Sequence, residues 1–389
     1  MDNLSGPLSP VPVPERLAGL GGLPASAAGR HERLTITDVE LFRVCPPLQP
    51  GILPAAAAAD FDVIPKYIVR VHTDAGLIGV GETHRMAGGL DAEPVARLHQ
   101  AAEQLRGRNV LDFNLSRLEL PVATDQGAFE TAFYDIVGQA VGWPVWRLLG
   151  GRAQGRIPVH YWAGKGLTPE ELRALAERAA ALGFAGVKMK RFNPLPQALE
   201  IFASVSPRLR ITIDLMGHYA GEFLPVVRQL EAIGNVMAIE DPPPGVDALE
   251  AYRQLRQQTS IPLAMHLYIN REGVRGMVQA ISAQACSVFN LGAGSMAEFV
   301  ARAYLAGEAG MAVWHGSAHE LGVLDAAMLH ACAAAPSCTW PSDILSHQRV
   351  HNLLTAPIEI RDSLATVPEG PGLGVELDLD AVHRYAVDH

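Results

Sequence analysis

The chain has 389 residues, 49% of them hydrophobic and 19% charged, and carries a formal net charge of −10. That length exceeds one small core and points to two domains; the acidic balance argues against a nucleic-acid surface, though it leaves room for an acidic substrate at a locally positive site. No apolar run reaches the roughly 18–20 residues of a membrane helix, and no basic-plus-apolar signal peptide opens the chain, so a cytoplasmic protein with no membrane partner is expected.

Residues 1–33 are rich in Pro, Ala, Gly and Ser without periodicity and read as a flexible leader. From Leu34 the pattern alternates: LTITDVELFRV, PKYIVRVHTDAG and LIGVGETH read as three strands, with Asp74 and Gly76 supplying the turn between the last two. The long proline-rich stretch from Pro46 to Pro65 reads as a lid. Helical spacing follows, clearest in Phe129, Phe133, Ile136, Val137 and Ala140, and ends on Gly150 and Gly151. Residues 34–150 therefore form an α+β unit. The cysteines, Cys45, Cys286, Cys332 and Cys338, form no CxxC pair and are expected to be reduced.

After Gly151 strands and helices alternate strictly. IPVHYWAG, GVKMKRF, RITIDLMG, VMAIEDP, IPLAMHLY, CSVFNLG and MAVWHGS are seven strand-like runs, and SCTWPSD is a weaker eighth. That texture predicts a parallel (β/α) barrel over residues 151–349, with 350–389 packing back on the first unit. Several runs end in polar residues that an ordinary buried strand would not carry: Lys188 and Lys190, Asp214, and Glu240 with Asp241. Asp214 and Glu240 lie 26 positions apart, and His266 lies 26 beyond Glu240. Equal spacing of polar strand ends places them on one rim. Lys188 and Lys190, two apart on a strand, face the same way.

In this order, Lys188–Lys190, Asp214, Glu240-Asp241-Pro242 and the helix AFETAFYDIVGQAVGWPVWRLLGG resemble the enolase superfamily on its mandelate racemase/muconate lactonising side. The resemblance covers nearly the whole chain from residue 34. It implies a capping domain plus barrel, a divalent metal, usually Mg²⁺, at the barrel mouth, and removal of a proton next to a substrate carboxylate with the metal stabilising the enediolate. It also implies homo-oligomers. By carry-over Lys190 is the base, while Lys188 polarises the carboxylate and lowers its neighbour's pKa, the arrangement of a Lys base with a metal-stabilised enediolate that the resemblance implies. Asp214 and Glu240 would hold the metal.

The sequence departs from that family at two places. The fifth run ends in Met265-His266-Leu267 with no acid, so His266 is either the third ligand, shifting preference toward Zn²⁺, Mn²⁺ or Fe²⁺, or a rim histidine with water completing the coordination. The sixth run offers Asn290 in place of an Asp or Lys. His315 stands where the resemblance implies an acid, with Glu320 or His319 as its support, or else it only donates a hydrogen bond to substrate. His160, Trp162, Asn290 and Glu320 are candidate substrate contacts, the first two only if the strand register holds. His218 and Tyr219 are expected to line the pocket rather than bind metal, and His84 and Arg85 to lie at the surface.

The expected activity is dehydration of a hydroxy or sugar acid, with racemisation, epimerisation or cycloisomerisation of a small carboxylate as alternatives. A repurposed, non-catalytic barrel is the competing class. The two lysines and two acids argue against it, since buried charges without a task are costly.

Overall fold

A computed structural model describes residues 33–54, 65–84, 92–122, 124–219, 221–243, 249–292 and 294–387. Residues 1–32 of the expected leader, half of the expected lid (residues 55–64) and Arg85 lie outside the described residues.

Three antiparallel strands, β1 (Ile36–Val44), β2 (Lys66–Thr73) and β3 (Ile78–Glu82), open the chain in the order β1-β2-β3. The expected turn is present: Thr73 N–H bonds the Leu77 carbonyl and Gly76 takes φ of +73°. Behind the sheet lie α1 (Ala92–Leu105) and α2 (Gln126–Val141). Phe129, Phe133 and Ile136 of α2 fill the core of this unit with Tyr67, Val69 and Val71. Gly79 and Gly81 let β3 lie against α2; a Cβ on Gly81 would stand 1.8 Å from the Ala128 carbonyl oxygen. A short α3 (Val145–Leu148) and β4 (Arg156–Pro158) lead into the second unit.

Seven parallel strands follow: β5 (Tyr161–Ala163), β6 (Gly186–Lys190), β7 (Arg210–Asp214), β8 (Val236–Glu240), β9 (Leu263–Met265), β10 (Val288–Leu291) and β11 (Ala312–His315). They pair in unbroken sequence order. Helices α4 (Pro169–Ala181), α5 (Leu195–Val205), α6 (Phe223–Ile233), α7 (Leu249–Gln258), α8 (Leu267–Ser282), α9 (Met296–Glu308) and α10 (Gly322–Ala334) cover the outside. Local chemistry marks their ends. Thr168 Oγ1 accepts the Glu171 N–H and Glu171 returns the bond to Thr168, a capping box that starts α4, while Gly234 at φ of +81° stops α6.

The weak eighth run is not a regular strand, yet it spans the gap between β11 and β5. Asp343 N–H bonds the His315 carbonyl at 2.8 Å, and His160 N–H bonds the Ser342 carbonyl at 3.0 Å. The fold is thus an α+β capping domain on a (β/α) barrel. The tail returns across both units: β12 (Ile360–Arg361) pairs with β13 (Leu364–Thr366), which pairs with β4, and Ala386, just past α11 (Leu379–Arg384), bridges Val44 of β1. All four cysteines are free thiols. No described helix is long and apolar enough to cross a membrane.

Candidate active site

Strand alternation decides which side chains enter the barrel. The lower interior is an apolar plug of Ala238, Ala264, Val288 and Trp314. Above and beside it lies a polar network fed by strands around the whole ring. Lys188 Nζ is 2.9 Å from Asp343 Oδ2 and 3.1 Å from Glu240 Oε2. Asn290 Nδ2 donates to Glu240 Oε1 at 2.7 Å. His160 Nε2 lies 3.1 Å from Thr212 Oγ1, and its Nδ1 lies 3.5 Å from Asp343 Oδ1. Lys190 pairs with Asp214 at the open end, where its side chain stays partly exposed.

Asp214, Glu240 and Asp241 each present an oxygen within 4.8 Å of the other two, and all three are buried. Asp241 sits past the end of β8, where alternation would turn it away. Its φ of +44° turns it back. There its carboxylate accepts the N–H groups of His266 and Leu267 at 2.9 and 3.0 Å, at the start of α8.

Burial dominates the electrostatics. It works against the Lys188 ammonium, but Asp343, Glu240 and Asp214 outweigh it and hold this lysine's pKa above its usual range. Burial likewise pushes the Asp343 carboxyl up, and Lys188 and His160 more than reverse the push, leaving it below the carboxylate range. Asp214 is drawn down against burial by Lys190 and Lys188. Asp241 goes the other way: burial and the neighbouring Glu240 raise it to about 7. Four acids (Asp214, Glu240, Asp241, Asp343) face two lysines (Lys188, Lys190) in this interior. An excess of buried negative charge is stabilised by a cation, and carboxylate oxygens suit a hard divalent one. The donor set therefore fits such an ion.

Several sequence expectations need correction. His266 is not a member of the carboxylate cluster: Asp241 takes the third place, and His266 Nδ1 lies 3.1 Å from the Asn290 carbonyl. His315 follows Trp314, whose indole occupies the barrel interior, so alternation sends the His315 ring outward. It meets Phe299 of α9 edge-on, with centroids 6.0 Å apart, and burial pushes its pKa down to about 4. Gly316 is the residue that faces Asn290; a Cβ there would stand 2.0 Å from Asn290 Oδ1. His160 is buried within the network and does not face an open cleft. Asn290 braces Glu240. Trp162 packs edge-on against His319 at 4.4 Å. Glu320 belongs to another cluster, under the capping sheet, where His84 Nε2 lies 3.2 Å from its Oε1 and Lys66 stands close by. His84, expected at the surface, is drawn into that cluster.

Sequence reasoning missed Asp343, whose only signal was an acid ending the eighth run, and it set Asp241 on the rim beside Glu240 without giving it a ligand role. Arg191, Phe192, Asn193, Leu215, His218 and Tyr219, which directly follow Lys190 and Asp214, border a cleft of about 580 Å³. His218 and Tyr219 line it as the sequence leads one to expect.

The fold and site together are a capped parallel barrel whose strand ends gather two lysines and three carboxylates. Residues 171–381 match the family model described as enolase C-terminal domain-like. An N-succinylamino acid racemase from Thermus thermophilus is 30% identical over 67% of this chain and 71% of its own length. A D-gluconate dehydratase from Thermoproteus tenax is 25% identical, covering 82% of this chain and 70% of its own. The solved muconate cycloisomerase from Pseudomonas fluorescens superimposes with a TM-score of 0.77 at 21% identity, over 91% of this chain and 99% of that one. This chain belongs to the enolase superfamily, in its mandelate racemase/muconate lactonising branch.

Proposed function

We propose that this protein removes the proton next to a substrate carboxylate, with Lys190 as the base, and then expels a β-hydroxyl as water: a dehydratase of hydroxy or sugar acids. The contact between Lys190 and Asp214 carries this reading, because it sets the base against the carboxylate cluster that fits a cation. Such a proton is very weakly acidic, so charge building on the substrate carboxylate must be offset where it develops. Asp214, Glu240 and Asp241 would hold Mg²⁺, which would supply most of that positive charge. Lys188 adds a second, permanent one, kept in place by Asp343.

Lys190 takes the α-proton as the C–H bond breaks. The freed electron pair forms the new carbon–carbon double bond while the β-carbon–oxygen bond breaks. Lys190 then returns its proton to the departing hydroxyl, and water leaves. One group serves both steps, so the reading needs no acid at position 315. Racemisation is the second reading; His266, three strands round the barrel from Lys190, is the observation that favours it, since inverting a carbon needs groups on two faces.

The test is incubation with Mg²⁺ and a panel of 2,3-dihydroxy and other carboxylates in D₂O. Dehydration releases a keto acid carrying solvent deuterium. Deuterium uptake with inversion and no loss of water would replace the dehydratase reading with the racemase one, and no uptake by any compound would defeat both.

A further inference from the structure

We infer that Cys332 and Cys338 form a peroxide-sensitive dithiol, a modification site whose oxidation to a disulfide loosens the run that holds Asp343 against Lys188. Both sulfurs lie 3.7 Å from Ser342 Oγ. The backbone brings the two residues together as well. Past the last turn of α10 the Ala335 N–H bonds the Cys332 carbonyl at 3.2 Å, and the Cys338 N–H bonds the Ala335 carbonyl at 3.0 Å. Gln154 Nε2 donates to both cysteine carbonyls, at 3.4 and 2.6 Å. Burial, and then the hydrogen bond with Cys338, push the Cys332 thiol up, so it keeps its proton.

Ser342 links this pair to the site. Its N–H bonds the Pro158 carbonyl at 2.7 Å, its carbonyl accepts the His160 N–H at 3.0 Å, and its Oγ accepts the His315 N–H at 3.1 Å. These bonds close the ring between β11 and β5, and the next residue, Asp343, meets Lys188 at 2.9 Å. A disulfide draws both sulfurs away from the Ser342 hydroxyl. That buried hydroxyl then loses two partners, where an unpaired polar group is costly.

Both thiols are buried, one layer beneath a turn whose Pro336 and Thr339 are exposed. Local opening of that turn admits hydrogen peroxide, which is hardly larger than water. The Cys338 sulfur gives up its proton and attacks one peroxide oxygen; the O–O bond breaks, a sulfenic acid forms and water leaves. The Cys332 sulfur then attacks the Cys338 sulfur. Its proton departs with the hydroxyl as a second water, and the S–S bond forms. Two thiols are oxidised and one peroxide is reduced. The product is neutral, which suits a buried site.

The test treats the protein with hydrogen peroxide, quenches with catalase, alkylates it unfolded and maps the alkylated cysteines by mass spectrometry. Cys332 and Cys338 are expected to resist alkylation until dithiothreitol reduces them. In the same oxidised protein, still folded, amide hydrogen exchange at His160, Ser342 and Asp343 should run about tenfold faster, as loss of one hydrogen bond in that run implies. Dithiothreitol should restore the slower rate. Cys338→Ala should show neither change under peroxide. Comparing the oxidised and reduced parent needs no substitution, so the test stands even where the variant fails to fold. Thiols that stay open to alkylation, oxidation that stops at a sulfinic acid on one cysteine, or a disulfide with unchanged exchange at those amides would overturn the site. Faster exchange in peroxide-treated Cys338→Ala would do the same, by placing the cause elsewhere.

Discussion

The Lys188 ammonium and the Asp343 carboxylate, 155 positions apart in the chain, meet at 2.9 Å inside the barrel, shut off from solvent. This pair joins the second strand to the run that closes the ring. Removing one partner leaves a buried charge with less compensation, which costs about 3–5 kcal/mol. Asp343→Ala should therefore lose about that much stability in urea unfolding. Because Asp343 is held below its ordinary pKa, its contribution is present above about pH 4 and lost as pH falls further; Lys188, held above its own, keeps its share until strongly alkaline pH. A loss under about 1 kcal/mol at neutral pH would show the pair to be incidental.

Magnesium titration separates Asp241 from His266. Asp214→Asn, Glu240→Gln and Asp241→Asn should each weaken binding by about a hundredfold or more, since each removes charge from the cluster. His266→Ala should change it by less than about threefold, because position 266 steadies Asp241 through a backbone N–H that alanine keeps. A large loss in His266→Ala with none in Asp241→Asn would return the ligand role to the imidazole.

Glu130 on α2 gives a pH signature away from the site. It is buried, accepts the Ala297 N–H at 2.9 Å, and burial raises its pKa to about 7. A carboxyl raised in the folded state binds its proton more tightly there than in the unfolded chain, so its share of stability falls as pH rises from about 4.3 to about 7 and is flat beyond. Glu130→Gln should remove this slope and gain on the order of 1–3 kcal/mol at pH 8 relative to pH 5. Parallel stability profiles for the variant and the parent would contradict it.

The period-two pattern made the strands legible and placed Lys188, Lys190, Asp214 and Glu240 on the interior face, where they stand. It failed where the backbone leaves that pattern. Asp241 reaches the cluster through a left-handed residue conformation that no spacing rule signals. Asp343 ends a run that closes the barrel by single hydrogen bonds, with one bridge from Ser342 to Val159. His315 was misplaced by one position, because Trp314 is the member of that run that fills the interior. Glu320 lies close to the rim in sequence, but its loop turns up to the capping sheet, a contact between distant segments that local reading does not reach.

The most direct test of the central claim compares two variants in one exchange experiment. With Mg²⁺ and an acid that the parent protein deuterates at the α-carbon, Lys190→Ala should lose exchange by about a thousandfold or more, as expected when a general base is removed. His315→Asn should keep exchange and turnover within about tenfold, since that ring lies on the helix side of its strand. Near-normal exchange in Lys190→Ala together with a dead His315→Asn would move the base to the seventh strand and contradict the account.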